Sequence, residues 1–385
     1  MASTRLLIIA ALLGGCLLFG GCQVTAIPCA TGDPACNPLE TLVLYDDYGP
    51  GEGECITTTT RVIGGSVQSC TPVEPVGSVT TLAGMAGSGT FADGTGTAAA
   101  FNLPLGTTTD GTYVYVADRS NNRIRRVDPV TAEVITFAGS GAASTTDGVG
   151  TAATFNQPSS ITTDGTYLYV AQVGSGAIRR IEIASQTVTT LATGFTNPVG
   201  IVVSGAQLYV ADLNDNNVYK IEIASGTVTT LAGTGVGGAS VDGVGTAAQF
   251  NVPFGITADG TYLYVAESTG NRIRQIEIAT ATVTTLAGSG AGTTTDGIGT
   301  AAAFFSPGGV TTDGTFLYVT ENSGNVVRKV EIATATVSTL AGSGAAATTD
   351  GTGTGAAFNG AIGISFDGTN LYLGESSGHV IRKIE

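Results

Sequence analysis

With 385 residues, 57 glycines, no tryptophan, one histidine and 12% charged side chains, the chain has the composition of many short strands joined by tight turns, which argues against a helical bundle. A formal net charge of −15 repels nucleic-acid phosphates and anionic lipid headgroups, so nucleic acid is excluded as an expected partner.

Residues 1–21 read as an export signal: Arg5, then an apolar run, then small residues leading to a Cys. Interrupted twice by Gly-Gly-Cys, the run is too short to span a bilayer well. Its end resembles the bacterial lipobox, whose Cys is acylated and becomes the mature N-terminus. Two frames fit, "LGGC" ending at Cys16 and "FGGC" ending at Cys22. Leu13 favours the first. Cutting before Cys22 removes the apolar "LLFGG" and leaves Cys29, Cys36, Cys55 and Cys70, an even set suited to disulfides in an oxidising compartment. Cys22 is therefore the expected lipidation site. Gln23 carries no inner-membrane retention signal of the Asp type, so the expected location is the outer membrane or cell surface, with the lipid as the sole membrane contact.

Residues 22–76 form a Cys-rich tether without repeats. "TLVLY" and "CITTTTRVI", separated by the turn-rich "DDYGPGEGE", are expected to pair as a disulfide-stapled hairpin. The four Cys permit three pairings, and spacing does not choose among them. Zinc is disfavoured, because there is no Cys-x-x-Cys knuckle and no accompanying His.

Everything from residue 77 onward is repeat. An Asp-Gly turn leads into an apolar strand in "DGTYVYVAD" from Asp110, "DGTYLYVAQ" from Asp164, "SGAQLYVAD" from Ser204, "DGTYLYVAE" from Asp259, "DGTFLYVTE" from Asp313 and "DGTNLYLGE" from Asp367. The turn glycines are spaced 54, 40, 55, 54 and 54 residues apart, giving six units. Each unit reads as four strands: around Gly260 these are "FGITA", "TYLYVAE", "NRIRQIEI" and "TVTTLAG". In the second, Tyr262 and Tyr264 point one way and Leu263 and Val265 the other, so neither face is polar. A sheet with one wet face alternates apolar with polar; this one has to be covered on both sides, as a propeller blade is by its neighbours. The fourth strand is expected at the outer edge.

The array's ends predict closure. The chain stops after a third strand, "HVIRKIE", while an isolated fourth strand, "SVTTLAG" at 78–84, precedes the first full unit. The expected fold is all-β, a six-bladed propeller over 77–385 in which the N-terminal strand 78–84 completes the last blade, 359–385, with Val79 to Leu82 pairing with Val380 to Ile384. The pattern "TLAGSG", "DGxGTAAxF", "NxP", "DGTYLYVA", "NRIR" and "TTLAG" resembles NHL repeats as found in bacterial exported proteins, over residues 78–385. That resemblance implies a binding or scaffold surface, although some propellers of this shape are lactonases or lyases.

Channel chemistry has little to work with. His379 sits in the turn before the last strand, where four other units have Arg123, Ala177, Asn217 or Arg272, and is expected to be a solvated substitution. The innermost strands, "LGTTT", "SSITT", "VGIVV", "FGITA", "GGVTT" and "IGISF", offer no carboxylate before the turn Asp. No catalytic residue, metal ligand or cofactor site is expected. Asp93, Asp147, Asp242, Asp296 and Asp350 of the "DGxGTAAxF" loops are expected to accept backbone N–H groups, while Phe101, Phe155, Phe250, Phe304 and Phe358 plug seams between blades. Third-strand bases such as Arg125, Arg126, Arg179, Arg180, Arg328, Lys329, Arg382 and Lys383, followed by acids such as Asp128, Glu182, Glu331 and Glu385, suggest ladders of cross-strand and cross-blade pairs.

The third unit departs from the pattern: its loop shrinks to "ATGFTNP" at 192–198, and Tyr219 and Lys220 follow the polar turn "NDNN". A lowered rim there is expected to open a notch, with Tyr219, Asp215, Asn216 and the first-strand aromatic Phe254 as candidate binding residues. The expected function is a non-catalytic, monomeric binding or scaffold module for a protein, peptide or glycan. A lactonase-like hydrolase or lyase at the channel mouth is the alternative.

Overall fold

The computed structural model describes residues 77–385 in full and, before them, the backbone of four short strands. Two compact units emerge, Met1–Val73 and Glu74–Glu385. In the first, Cys22–Val24 pairs antiparallel with Leu44–Asp46, and Thr60–Ile63 pairs with Ser66–Ser69. The two runs expected to pair with each other thus take other partners. Gly64 and Gly65 stand between the latter two strands in sequence, and such a two-residue link favours the local hairpin over the longer "DDYGPGEGE" connection. The leader 1–21 and Cys29, Cys36, Cys55 and Cys70 lie outside the described residues, and of Cys22 only the backbone is described.

The second unit is an all-β, six-bladed propeller. The first, innermost strands of blades one to six are Pro104–Thr109, Pro158–Thr163, Pro198–Ser204, Pro253–Ala258, Pro307–Thr312 and Ala361–Phe366. From each the chain meanders outward through antiparallel second, third and fourth strands. The second strands are buried on both faces, as their unbroken apolar pattern requires: in Tyr262–Glu267 all but the leading Tyr262 are buried. Tyr264 joins the core shared with blade five, whereas Leu263 and Val265 join the core shared with blade three. Each of the six seams holds one such cluster, and each is capped by a plug Phe. Phe101, Phe155, Phe250, Phe304 and Phe358 are 0% exposed. In the seam between blades two and three, Phe195 takes the plug's place.

The fourth strand is not always the rim. In five blades a two-residue fifth strand pairs outside it: Gly94–Thr95, Gly148–Val149, Gly243–Val244, Gly297–Ile298 and Gly351–Thr352. This strand comes from the Asp-Gly-x-Gly loop that precedes its blade and turns through a three-residue 3-10 segment into the plug. Blade three, whose preceding loop is short, ends at its fourth strand, Val228–Ala232. Among the described residues no helix is long and apolar enough to cross a membrane.

Closure follows the expected register. Ser78–Ala83 is the fourth strand of blade six, with Val79 opposite Ile384, Thr80 opposite Lys383, Thr81 opposite Arg382 and Ala83 opposite Ile381. Ser78 N–H and Glu385 N–H each donate to the other's carbonyl, at 3.1 and 2.9 Å. Val79 and Ala83 are buried in the cores on either side of that blade. Deleting 77–84 removes these contacts and bares an apolar edge in one blade; the expected result is loss of the single cooperative melting transition by circular dichroism, with aggregation, and an unchanged melting temperature would refute the closure.

Candidate functional site

The hub is tight because its strands carry glycine where they cross. A Cβ on Gly200, Gly255, Gly309 or Gly363 would lie 2.1–2.3 Å from a backbone oxygen of the next first strand, and one on Gly106 would lie 2.6 Å from Ser160 Cα. These glycines serve close approach between strands. The channel they leave is lined by residues of all six first strands, among them Thr107, Ser159, Ile161, Ile201, Phe254 and Ile364, and has a free volume of about 60 Å³. That is room for a few waters, against roughly 300–1,000 Å³ for small-molecule pockets. Of its lining hydroxyls, those of Thr107 and Ser159 are engaged. Thr107 donates to Tyr372 O at 3.0 Å, Ser365 to Thr107 at 3.0 Å, and Ser159 to Pro198 O at 2.9 Å. Among the described residues no three His, Cys, Asp or Glu side chains gather as a metal site requires.

The charged chemistry sits in the outer blades and ties loops down. Adjacent third-strand bases point to opposite faces, and one of each pair is buried: Arg125, Arg179, Arg274, Arg328 and Arg382 are 0% exposed. The expected ladders paired such bases with the acids that follow them; these buried members pair instead with loop Asp and, in all but blade two, second-strand acids. Their neighbours do stay outside, where Arg126 lies over Tyr113, Lys329 over Phe316, and Lys383 pairs with Glu385.

Each buried guanidinium clamps the Asp-Gly loop in front of its own blade. Arg274 holds Asp242 at 2.8 Å, Glu267 at 2.8 Å, and the carbonyls of Val241 and Gln249, both at 3.1 Å. It also lies 5.5 Å from the centroid of Phe250. Blades one, five and six repeat the arrangement with Arg125–Asp93–Asp118, Arg328–Asp296–Glu321 and Arg382–Asp350–Glu375. The loop Asp thus accepts an arginine and a fourth-strand Thr hydroxyl, as Asp242 does from Thr285 at 3.0 Å, in place of the backbone N–H groups expected for it. Burial pushes the carboxyls of Asp118, Glu267, Glu321 and Glu375 above their usual range, against the pull of arginine and hydrogen-bond donors.

Blade two carries Gln172 at the position of that second acid, so Asp147 alone balances Arg179. In blade three no loop Asp is present, and the buried arginine is gone as well. Opposite Val210, where the sister blades place Arg, stands Tyr219. An unpaired buried arginine would cost several kcal/mol. Tyr219 instead packs edge-on against Phe195, with ring centroids 5.4 Å apart, and donates to Asp215 at 3.0 Å.

In five of the six blades the turn between second and third strands stitches the blade to the next; blade two has Gly176 at that position. Asn122, Asn216, Asn271 and Asn325 adopt left-handed φ of 51–53°, which Asn tolerates. Their side-chain oxygens accept the N–H of Gln157, Val252, Ser306 and Gly360, at 2.9–3.4 Å. His379 is the fifth member, with φ 59° and Nδ1 accepting Leu103 N–H at 3.2 Å across the closing seam. It corresponds to these Asn residues, one position before those with which it was aligned above, and it is structural rather than a solvated substitution.

At the turn Asp-Gly, Asp259 accepts the N–H groups of Thr261 and Tyr262, and its second oxygen accepts Tyr264 OH at 2.8 Å. Burial first, and this hydrogen bond second, push the Tyr264 phenol well up.

The candidate binding residues are placed as follows. Tyr219 and Asp215 bond to each other, Asn216 is 8% exposed and holds Val252, and Phe254 lines the hub. Phe195 fills the space beside Tyr219 that was expected to open as a notch.

No family model matches the chain. NHL repeat-containing protein 2 from Bos taurus is 36% identical over 103 residues, and its counterpart from Homo sapiens is 35% identical over 105. Each match takes in 26% of this chain, which spans about 14% of those relatives' length. Among solved structures, a protein of unknown function from Bacteroides thetaiotaomicron superposes with TM-score 0.66 at 22% identity, covering 80% of this chain and 76% of that one. Two proteins described as auxiliary nutrient binding proteins also share the fold. The one from B. thetaiotaomicron has TM-score 0.62 at 18% identity over 80% and 76% of the two chains, and the one from Bacteroides ovatus 0.61 at 18% over 81% and 77%.

The clamps differ in charge balance, and that difference is measurable. Asp242→Asn leaves Arg274 its Glu267, whereas Asp147→Asn leaves Arg179 no carboxylate. Because Asp147 is half exposed, the expected extra loss for Asp147→Asn is modest, about 1–2 kcal/mol, read as a lower urea midpoint than that of Asp242→Asn.

Proposed function

The chain is an NHL-repeat β-propeller, and we propose that it works as a non-catalytic binding or scaffold module for a protein, peptide or glycan. The observation that carries this reading is the closed hub. Its strands are drawn together by glycine, about 60 Å³ is left free, and the Thr107 and Ser159 hydroxyls donate to backbone carbonyls. General acid–base or metal-assisted turnover needs convergent titratable groups around a substrate-sized space, and the acids here are spent on arginine clamps and turns. The likeness to proteins described as auxiliary nutrient binding proteins supports a binding role. The lactonase-like hydrolase or lyase alternative is less favoured, because the hub lining carries no titratable side chain.

This reading includes display on the cell envelope: an export signal over 1–21, an acylated Cys22, a tether carrying Cys29, Cys36, Cys55 and Cys70 as disulfides, and a single propeller at the outer membrane or cell surface. Intact-mass analysis of the mature chain is expected to find the acyl group on Cys22; finding it on Cys16, or no acyl group, would refute the anchor.

For the function, the purified full chain is expected to hold no stoichiometric divalent metal after dialysis and to retain a partner from solubilised envelopes. Tightly bound calcium or zinc together with hydrolysis of a lactone panel would overturn the binding reading.

A further inference from the structure

Five blades seat a short strand on their fourth strand, and blade three does not. At the covered position Val134, Val188, Val283, Val337 and Val79 are 0–2% exposed; their counterpart Val228 is 36% exposed. Thr229 and Thr230 are exposed with it, and no described strand pairs with the outer edge of Val228–Ala232. Natural sheets blunt such edges with lysine or proline. This one reads Val-Thr-Thr-Leu-Ala.

The sister blades display what such an edge accepts. A Gly faces the Val, as in Gly243 opposite Val283, and a β-branched residue faces the position before it, as in Val244 opposite Thr282. The next N–H, that of Gly245, donates to Ala281 O at 2.9 Å. Gly226 stands at the equivalent of Ala281 in blade three, its N–H donating to Glu222 as that of Ala281 does to Glu277. Strand addition draws its affinity from such main-chain bonds and its selectivity from alternate side chains.

Charge narrows the occupant. In sister blades the incoming segment brings an Asp to a buried Arg; in blade three Tyr219 replaces that Arg and is bonded to Asp215. An acidic side chain there would meet carboxylates without a cation. A second copy of this chain would bring another −15 of formal charge against the first. Resting on the binding-propeller reading, we propose that the outer edge of blade three is a strand-addition site for an extended, uncharged or basic peptide segment of a partner protein, with small and β-branched residues in alternation.

The test uses the full chain and a fluorescent peptide with the sequence of residues 145–155 carrying Asp147→Asn, which mimics a sister loop without its charge. Saturable binding by anisotropy is expected, with slowed amide exchange confined to 226–232. Val228→Lys and, independently, Thr230→Lys are expected to weaken binding at least tenfold without lowering the melting temperature, and Val244→Lys on blade four to leave it unchanged. Three results would each overturn the proposal: no saturation at millimolar peptide, protection elsewhere, or concentration-dependent dimers that protect the same edge without peptide. A native partner retained equally by Val228→Lys and by the unaltered chain would also overturn it while leaving the binding reading intact.

Discussion

A sheet that is apolar on both faces has to be covered on both, and the architecture of residues 77–385 follows from that constraint. In each second strand tyrosine serves one neighbour while leucine or valine serves the other, so no blade is stable with a bare face. A row of such sheets has two unsatisfied ends, and a ring has none. Ring closure moves the problem to the chain termini, which solve it by lying in one sheet, Ser78–Ala83 against Val380–Ile384. The cost is a set of contacts nearly the whole repeat array apart in sequence, the kind of pairing that forms late because its loop-closure entropy is large.

The buried arginines are read best as positioning devices. Exchanging a buried ion pair for apolar side chains is often neutral in stability, while removing one member is not. Each guanidinium fixes a long glycine-rich loop by its Asp and carbonyls, brings the plug Phe beneath it, and so seals the seam. The second-strand acid and the loop vary together in a way that side-chain length explains. Glu267, Glu321 and Glu375 reach a Ser or Thr hydroxyl two residues before the loop Asp; in blade one Phe91 holds that sequence position and the shorter Asp118 accepts from Asn121 instead. Blade three has shed loop Asp and Arg together, and Phe195 with Tyr219 restores the packing.

On this scaffold it is the rim where the blades differ. Five near-identical blades present covered edges, and the departure from symmetry lies where one loop is missing. A shortened loop need not leave a hole; here the core refills and the edge of the sheet is what becomes accessible.

From the sequence alone came the all-β class, the six units, the strand that closes the ring and its register, and the seam role of the repeated Phe, because each is written in periodicity or in a count of strands. Four matters awaited the fold. Whether Arg125 or Arg126 goes inside depends on which face meets the loop, and two adjacent bases look alike in sequence. A two-residue strand such as Gly243–Val244 is too short to show a period. The place of His379 hangs on a one-residue offset in a turn, which only the hydrogen bond to Leu103 resolves. The closeness of the hub strands, and with it the narrowness of the hub, arises from glycines that meet across blades, a contact between residues some fifty positions apart that local pattern does not carry.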